Sequence, residues 1–336
     1  HLVQAAERAG KKVVAMEWVA ARSYSPALQG PVVDFRSFFS TRGVLTFPAV
    51  PSEQAGAATF GLSYQVAAFS NASGWMNAPA GDPAATPQQT VLTVATTPGF
   101  AATVNPTRIY DVYIYDSVVY GIAAYDSVIL VRSGLAKNAI AANRAAELSK
   151  GEWVDVKLRG ADGLIGDRAG QTAGMYMKLI DVAGGASGVS SFKLYFTSVQ
   201  RVNATYNALG PAGSAGFEED LAANFPTSTA ADFAPLEAGI VDEDTYIQQG
   251  LMWKDAHWAY LEYIIETLGV DPDLLMVGTP VTDEFQHQFM GLITPKAIDG
   301  RANPYFDDLT NDNIPDGRTA IREGYIRSSY VEADDP

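Results

Sequence analysis

The feature that most limits the fold is a change of texture: alternating helix and strand at both ends, and short strands throughout the middle. Residues 2–9 read as a helix stopped by Gly10, and "KKVVAMEW" (11–18) reads as a strand. A helix, a glycine and an apolar run in that order mark an α/β chain. After about residue 205 the same texture returns. Residues 242–269 form a long helix ended by Gly269, "VDPDLLMVG" follows as a strand, and residues 317–334 form a last helix. Residues 30–60 read as loop-rich. The middle carries short runs such as "VLTVATT" (91–97), "IYDVYIYDS" (109–117), "DSVILVRS" (126–133) and "FKLYFTSVQRV" (192–202). Alternation like Met175-Tyr176-Met177-Lys178-Leu179 suits an antiparallel sheet with one wet face. Residues 135–151 fit a short helix or a connection. The expected organisation is an α/β core of residues 1–54 and 206–336, interrupted by a β-rich lobe over 55–205.

Charge narrows the partners. The 336 residues carry 23 Lys plus Arg against 38 Asp plus Glu, a net charge of −15. Such a chain repels nucleic-acid backbones and anionic membranes, so neither is expected as a bulk partner. A small anionic substrate needs local cations or a metal to offset that field. There are no cysteines, which removes disulfides, thiolate metal sites and cysteine nucleophiles. No apolar run approaches the roughly 20 residues of a membrane span. The chain opens inside a helical pattern, without an initiator Met or signal peptide, and reads as an internal piece of a longer polypeptide.

Chemistry concentrates in "VTDEFQH" (281–287), just after the apolar run Leu274-Leu275-Met276-Val277. Such a run reads as a parallel strand buried on both faces, and open α/β sheets keep their sites beyond the carboxyl ends of such strands. If Glu284 onward is helical, Asp283 and His287 share one face. A carboxylate and an imidazole make a ligand pair for Zn²⁺ or a similar ion. Helix capping by Asp283, with a histidine one turn later, accounts for the same spacing.

"PDLLMVGTPVTDEFQHQFMGL" resembles the alkaline-phosphatase superfamily, in its type I phosphodiesterase/nucleotide pyrophosphatase branch. There a strand, a Pro-containing loop and D-x-x-x-H supply two ligands of one of two catalytic metals. "AAERAGKKVVAMEW" is similar to the helix–strand unit after that family's nucleophile region. "VVDFRSFFSTRGV" and the β-rich insert resemble a secreted bacterial subgroup, which implies an extracellular or periplasmic location. The resemblance implies an alkaline-phosphatase-like sheet with helices on both faces, interrupted by the antiparallel insertion. It implies that Asp283 and His287 are metal ligands, that the cofactors are two divalent ions of the zinc type, and that the substrate is a small phosphate ester or diester. The family's Thr or Ser nucleophile is expected upstream of residue 1 and its S-D-H-G strand downstream of residue 336. No catalytic nucleophile is therefore expected within the segment. The remaining ligands would come from other parts of the polypeptide or from a second chain completing the site. Sulfatase or phosphomutase chemistry is the alternative within the superfamily; a non-catalytic binding or scaffold protein is the alternative outside it.

Other residues invite weaker readings. "FDDLTNDNIPDG" (306–317) gathers Asp307, Asp308, Asn311, Asp312, Asn313 and Asp316 before a glycine, a candidate calcium loop because Ca²⁺ takes six to eight oxygens. A solvated turn before the next helix fits equally. His257 reads as a packing residue. Trp75, Tyr110, Tyr113, Tyr115, Trp153, Tyr176 and Tyr195 form either a glycan-binding face or cross-strand pairs. Arg36 and Arg42 suit an anion or a structural salt bridge. "GDRAGQTAG" (166–174) lacks the Lys-Ser/Thr of a phosphate loop.

Overall fold

The computed structural model describes residues 1–19, 21–38, 41–49, 61–95, 107–159 and 172–334, with the backbone alone at 35–38, 159 and 172. The fold is mixed α/β, and the chain divides into two compact units: residues 1–37 with 201–336, and residues 38–200. The texture of the sequence places those limits at 54/55 and 205/206. The difference arises because the stretch read as loop-rich holds two strands.

In chain order the elements begin with α1 (Leu2–Arg8), β1 (Val13–Met16) and β2 (Pro31–Phe38). Next come β3 (Arg42–Phe47), β4 (Leu62–Val66), β5 (Ser70–Asn71), β6 (Gln88–Val94), β7 (Arg108–Tyr115) and β8 (Ser127–Arg132). The short helix α2 (Ile140–Asn143) leads into β9 (Arg144–Ser149), β10 (Trp153–Arg159), β11 (Thr172–Gly185), β12 (Gly188–Phe196) and β13 (Gln200–Tyr206). The chain ends with α3 (Gly210–Asn224), α4 (Phe233–Glu237), α5 (Glu243–Glu262), β14 (Leu274–Val277), α6 (Pro280–Ile293) and α7 (Thr319–Asp334).

In the first unit the sheet runs β14-β1-β2-β13, with β1 parallel to both neighbours. All four residues of β1 are buried, and their alternation sends them to two different cores. Val13 and Ala15 pack with Val3 of α1, Leu28 and Val32. Val14 and Met16 pack with Phe217 and Leu221 of α3 and with Ala256, Tyr260 and Leu261 of α5. Helices therefore cover both faces of β1. Gly10 closes α1 at φ 77°, a backbone state that glycine adopts without steric cost. Asp242 caps α5 by accepting the Thr245 N–H at 2.8 Å, which satisfies one of the helix's free donors.

β14 corrects one expectation. It is parallel to β1, but it is an edge strand among the described residues, with Leu274, Met276 and Val277 half-buried and Leu275 exposed. An apolar tetrapeptide reads alike in the middle and at the rim of a sheet, so burial on both faces could not be inferred from it.

The second unit is a β-sandwich. One sheet runs β10-β11-β12-β3-β4, antiparallel except for the parallel pair β3–β4. The other, β5-β6-β7-β8-β9, is antiparallel throughout. Their inner faces share one core that includes Leu92, Val112, Leu130, Met177, Leu194 and Phe196. No helix among the described residues is long and apolar enough to cross a membrane.

Candidate functional site

α6 starts three residues beyond β14. Pro280 occupies its first turn, where a missing N–H costs nothing. Gly278 is required just before it, because a Cβ there would lie 2.6 Å from the Glu17 carbonyl oxygen. The buried stripe of α6 is Val281, Phe285, Phe289 and Leu292, with the Phe285 and Phe289 rings each 5.7 Å from Tyr246 of α5. That stripe turns Asp283 and His287 outward. Their side chains are 73% and 77% exposed, and His287 Nε2 stands 3.4 Å from Asp283 Oδ1. An exposed pair at this spacing contributes only a few tenths of a kcal/mol. As ligands they offer one oxygen and one nitrogen. Among the described residues no third His, Asp or Glu joins them to form a metal-holding group.

An apolar cleft lies at the carboxyl ends of β1 and β14, lined by Met16, Trp258, Leu261, Val277 and Pro280 together with His257 and the ion-paired Lys254 and Glu332. Val281 and Thr282 of α6 reach it, whereas Asp283 and His287 are not part of its lining. The pair stands on the exposed face of α6, outside that lining.

Beside the cleft is a buried polar group that sequence reasoning missed. Glu17 follows β1 with φ 48°, a left-handed conformation rare outside glycine and asparagine. Its Oε1 accepts the Trp253 indole N–H at 2.9 Å and lies 3.1 Å from His257 Nε2. Ser228 Oγ lies 3.0 Å from that same nitrogen. A proton relay from a hydroxyl to a carboxylate uses both ring nitrogens. Here both partners meet one, so the group fastens the end of β1 to α5 rather than activating a serine. His257 is buried, in keeping with a packing role. The signal available in the sequence was a carboxylate directly after the apolar run "VVAM".

The acidic loop folds inward. Asp307 accepts the N–H groups of Gly317 at 2.8 Å and Arg318 at 3.0 Å, and the Arg322 guanidinium at 3.0 Å. Asp308 accepts from the N–H groups of Asp312 and Asn313, and Asp312 from that of Ile314. Asp316 accepts from the Leu309 N–H at 2.9 Å and from Arg322 at 2.5 Å. Burial alone would raise the Asp316 carboxyl, but Arg322 and the Leu309 N–H outweigh it and hold it below the ordinary carboxylate range. Asn311 and Asn313 supply left-handed backbone at φ 55° and 65°, which asparagine tolerates best after glycine. A guanidinium thus stands at the focus of Asp307 and Asp316 in the loop that read as a candidate calcium site.

Trp75, Trp153 and the five tyrosines pack against neighbouring side chains, and of these only Tyr110 belongs to the core shared by the two sheets. Tyr110 is in the main core, and Tyr113 and Tyr115 lie with Ile129 and Val131 beneath Trp75. Trp153 makes edge contacts with Tyr176 and Tyr195 at 6.2 and 5.9 Å. Arg42 is half-buried on β3, and the Arg36 side chain lies outside the described residues. The 166–174 turn lies outside them too, except for its last three residues, which begin β11. No family model matches the chain, and no curated protein or solved structure matches it at a significant level.

Proposed function

We propose that Asp283 and His287 are two ligands of a divalent-metal centre in a hydrolase of phosphate esters or diesters, on an alkaline-phosphatase-like sheet. The observation that carries this reading is position. The pair sits in the first turns of α6, directly after the parallel strand β14, on the side of the sheet where open α/β folds keep their ligands. A carboxylate oxygen with an imidazole nitrogen suits Zn²⁺. Both side chains reach solvent, so an ion and a small substrate have access. Asp283 lies in the first turn of α6. Bound there, paired divalent ions would stabilise charge on the attacking and leaving oxygens. Two donors do not complete a tetrahedral ion, so the reading requires further ligands and a hydroxyl nucleophile from other polypeptide.

The test uses the full-length polypeptide, with zinc binding followed by calorimetry and hydrolysis of bis(4-nitrophenyl) phosphate followed by absorbance. His287→Ala should weaken zinc binding and reduce turnover at least about a hundredfold, as loss of a metal ligand does. Undiminished hydrolysis in that variant overturns the assignment. A non-catalytic scaffold is the second reading, supported by the internal bonding of Glu17, His257 and Ser228. It requires that the full-length polypeptide hydrolyse neither monoester nor diester with zinc present.

A further inference from the structure

In the second unit, the loop between β7 and β8 carries an apolar tip. Val118, Val119, Tyr120 and Ile122 are 40%, 65%, 81% and 74% exposed. Between Asp116 and Asp126 the sequence is Ser-Val-Val-Tyr-Gly-Ile-Ala-Ala-Tyr, without a charge, and no Lys or Arg occurs between Arg108 and Arg132. Scattered single apolar residues on a surface need no explanation; a contiguous run of them does.

The tip is held rigidly from below. Asp82 and Asp116 are both withdrawn from solvent. Asp82 Oδ2 accepts the N–H groups of Tyr120 at 2.7 Å and Gly121 at 2.5 Å. Asp116 accepts those of Val118 at 3.2 Å and Ala124 at 2.7 Å. Asp126 accepts both the N–H and the hydroxyl of Ser117. The Tyr125 hydroxyl anchors the far side on the Thr86 carbonyl at 2.6 Å. Gly121 turns the chain at φ 74°. Gly81 lets the two loops meet, since a Cβ there would lie 2.4 Å from the Asp116 carbonyl oxygen.

These bonds lower the cost of taking four of the loop's N–H groups out of water, which favours a shallow insertion at the headgroup level. A loop entering a protein groove can leave its N–H groups for the partner to satisfy. A loop entering hydrocarbon cannot, because nothing there accepts them. Here carboxylates of the same unit already take the N–H groups of Val118, Tyr120, Gly121 and Ala124, while the apolar side chains point to solvent. From this geometry we infer that the 118–122 tip inserts into the surface of a lipid assembly with zwitterionic headgroups. Tyr120 suits the headgroup level, where an amphipathic ring is favoured. The absence of Lys and Arg from the loop itself and the net charge of −15 weigh against attraction to an anionic leaflet.

The chain has no cysteine, so one introduced thiol can be labelled cleanly. The probe is a dioleoylphosphatidylcholine vesicle, and the reporter is an NBD fluorophore on Val119→Cys. Its emission should shift to the blue and rise on vesicle addition. The same label on Ala136→Cys, an exposed position just after the far end of β8, should not respond. In flotation assays the unlabelled protein should rise with the vesicles. Val119→Asp with Ile122→Asp should cut binding roughly tenfold or more, given the penalty for carboxylates in the membrane. These substitutions lie at exposed positions, so the thermal midpoint should be unchanged. Asp82→Asn, which keeps every apolar side chain, should weaken insertion by loosening the tip. Four results overturn the inference: no flotation, an unresponsive Val119 label, unchanged binding of the double variant, or binding only to vesicles containing phosphatidylserine. Tip-dependent association with a protein in place of the vesicles overturns it as well.

Discussion

Arg322 Nε donates to Glu243 Oε1 at 2.7 Å, with both side chains almost wholly withdrawn from solvent. Arg318 takes the second oxygen of Glu243 at 2.6 Å. The remaining Arg322 nitrogens reach Asp307 and Asp316. One guanidinium therefore joins the first turn of α5, the acidic loop and α7. Removing it leaves buried carboxylates facing one another. Arg322→Ala should cost about 3–5 kcal/mol, the range for breaking a buried ion pair from one side. Arg322→Lys should recover only part, because an ammonium cannot meet three carboxylates with a planar fork. Urea denaturation of the first unit's transition measures both.

The same geometry predicts how the acidic loop responds to calcium. Its carboxylates already hold backbone N–H groups and Arg322. Millimolar Ca²⁺ should therefore leave the thermal midpoint unchanged. A calcium-dependent rise would mean that the loop opens to exchange its guanidinium for the ion.

Glu17 should be more sensitive than its place at the end of a short strand suggests. Glu17→Ala removes the acceptor 2.9 Å from the Trp253 indole N–H and the partner of His257. Leaving buried donors without an acceptor costs about 1–3 kcal/mol each. Glu17→Gln, which keeps one oxygen, should cost less. Chemical denaturation separates the two variants, and equal stability of both would count against the clamp.

Gly250 of α5 is a packing requirement. A Cβ there would lie 2.5 Å from the ring of the fully buried Phe285. Gly250→Val should destabilise by about 1–3 kcal/mol through overpacking. Because Phe285 lies on α6 between Asp283 and His287, any zinc affinity of the proposed site should fall with it.

Acid should loosen the apolar tip. The N–H groups of Ala84, Gly121, Tyr120 and Ile122 hold the Asp82 carboxyl below its ordinary value of 3.8, against the opposing effect of burial. A carboxyl depressed by folding contributes stability that is complete above the unfolded pKa and is lost as pH falls through the folded one. Exchange of the Tyr120 and Gly121 amides, corrected for intrinsic rates, should stay slow near neutrality and accelerate only below about pH 3.8. In Asp82→Asn that acid transition should be absent.

Local pattern alone located much of this protein. The period-2 alternation of β11 and the glycine stop after α1 are statements about neighbours in the chain, and each element formed where those neighbours put it. The i,i+4 spacing of Asp283 and His287 placed them on one face of α6 for the same reason. What lies across the fold was not legible. "LLMV" does not say whether a second strand pairs with its outer edge, and among the described residues β14 is a rim. Six oxygen-bearing side chains in one loop do not reveal that Arg322 of the following helix will enter among them. Glu17 meets His257 and Trp253 only because β1 and α5 pack together. Periodicity fixes which way a side chain points from its own element, because that depends on backbone geometry a few residues long. The partner it meets depends on burial and on chain closure over hundreds of residues, and only the folded structure decides that.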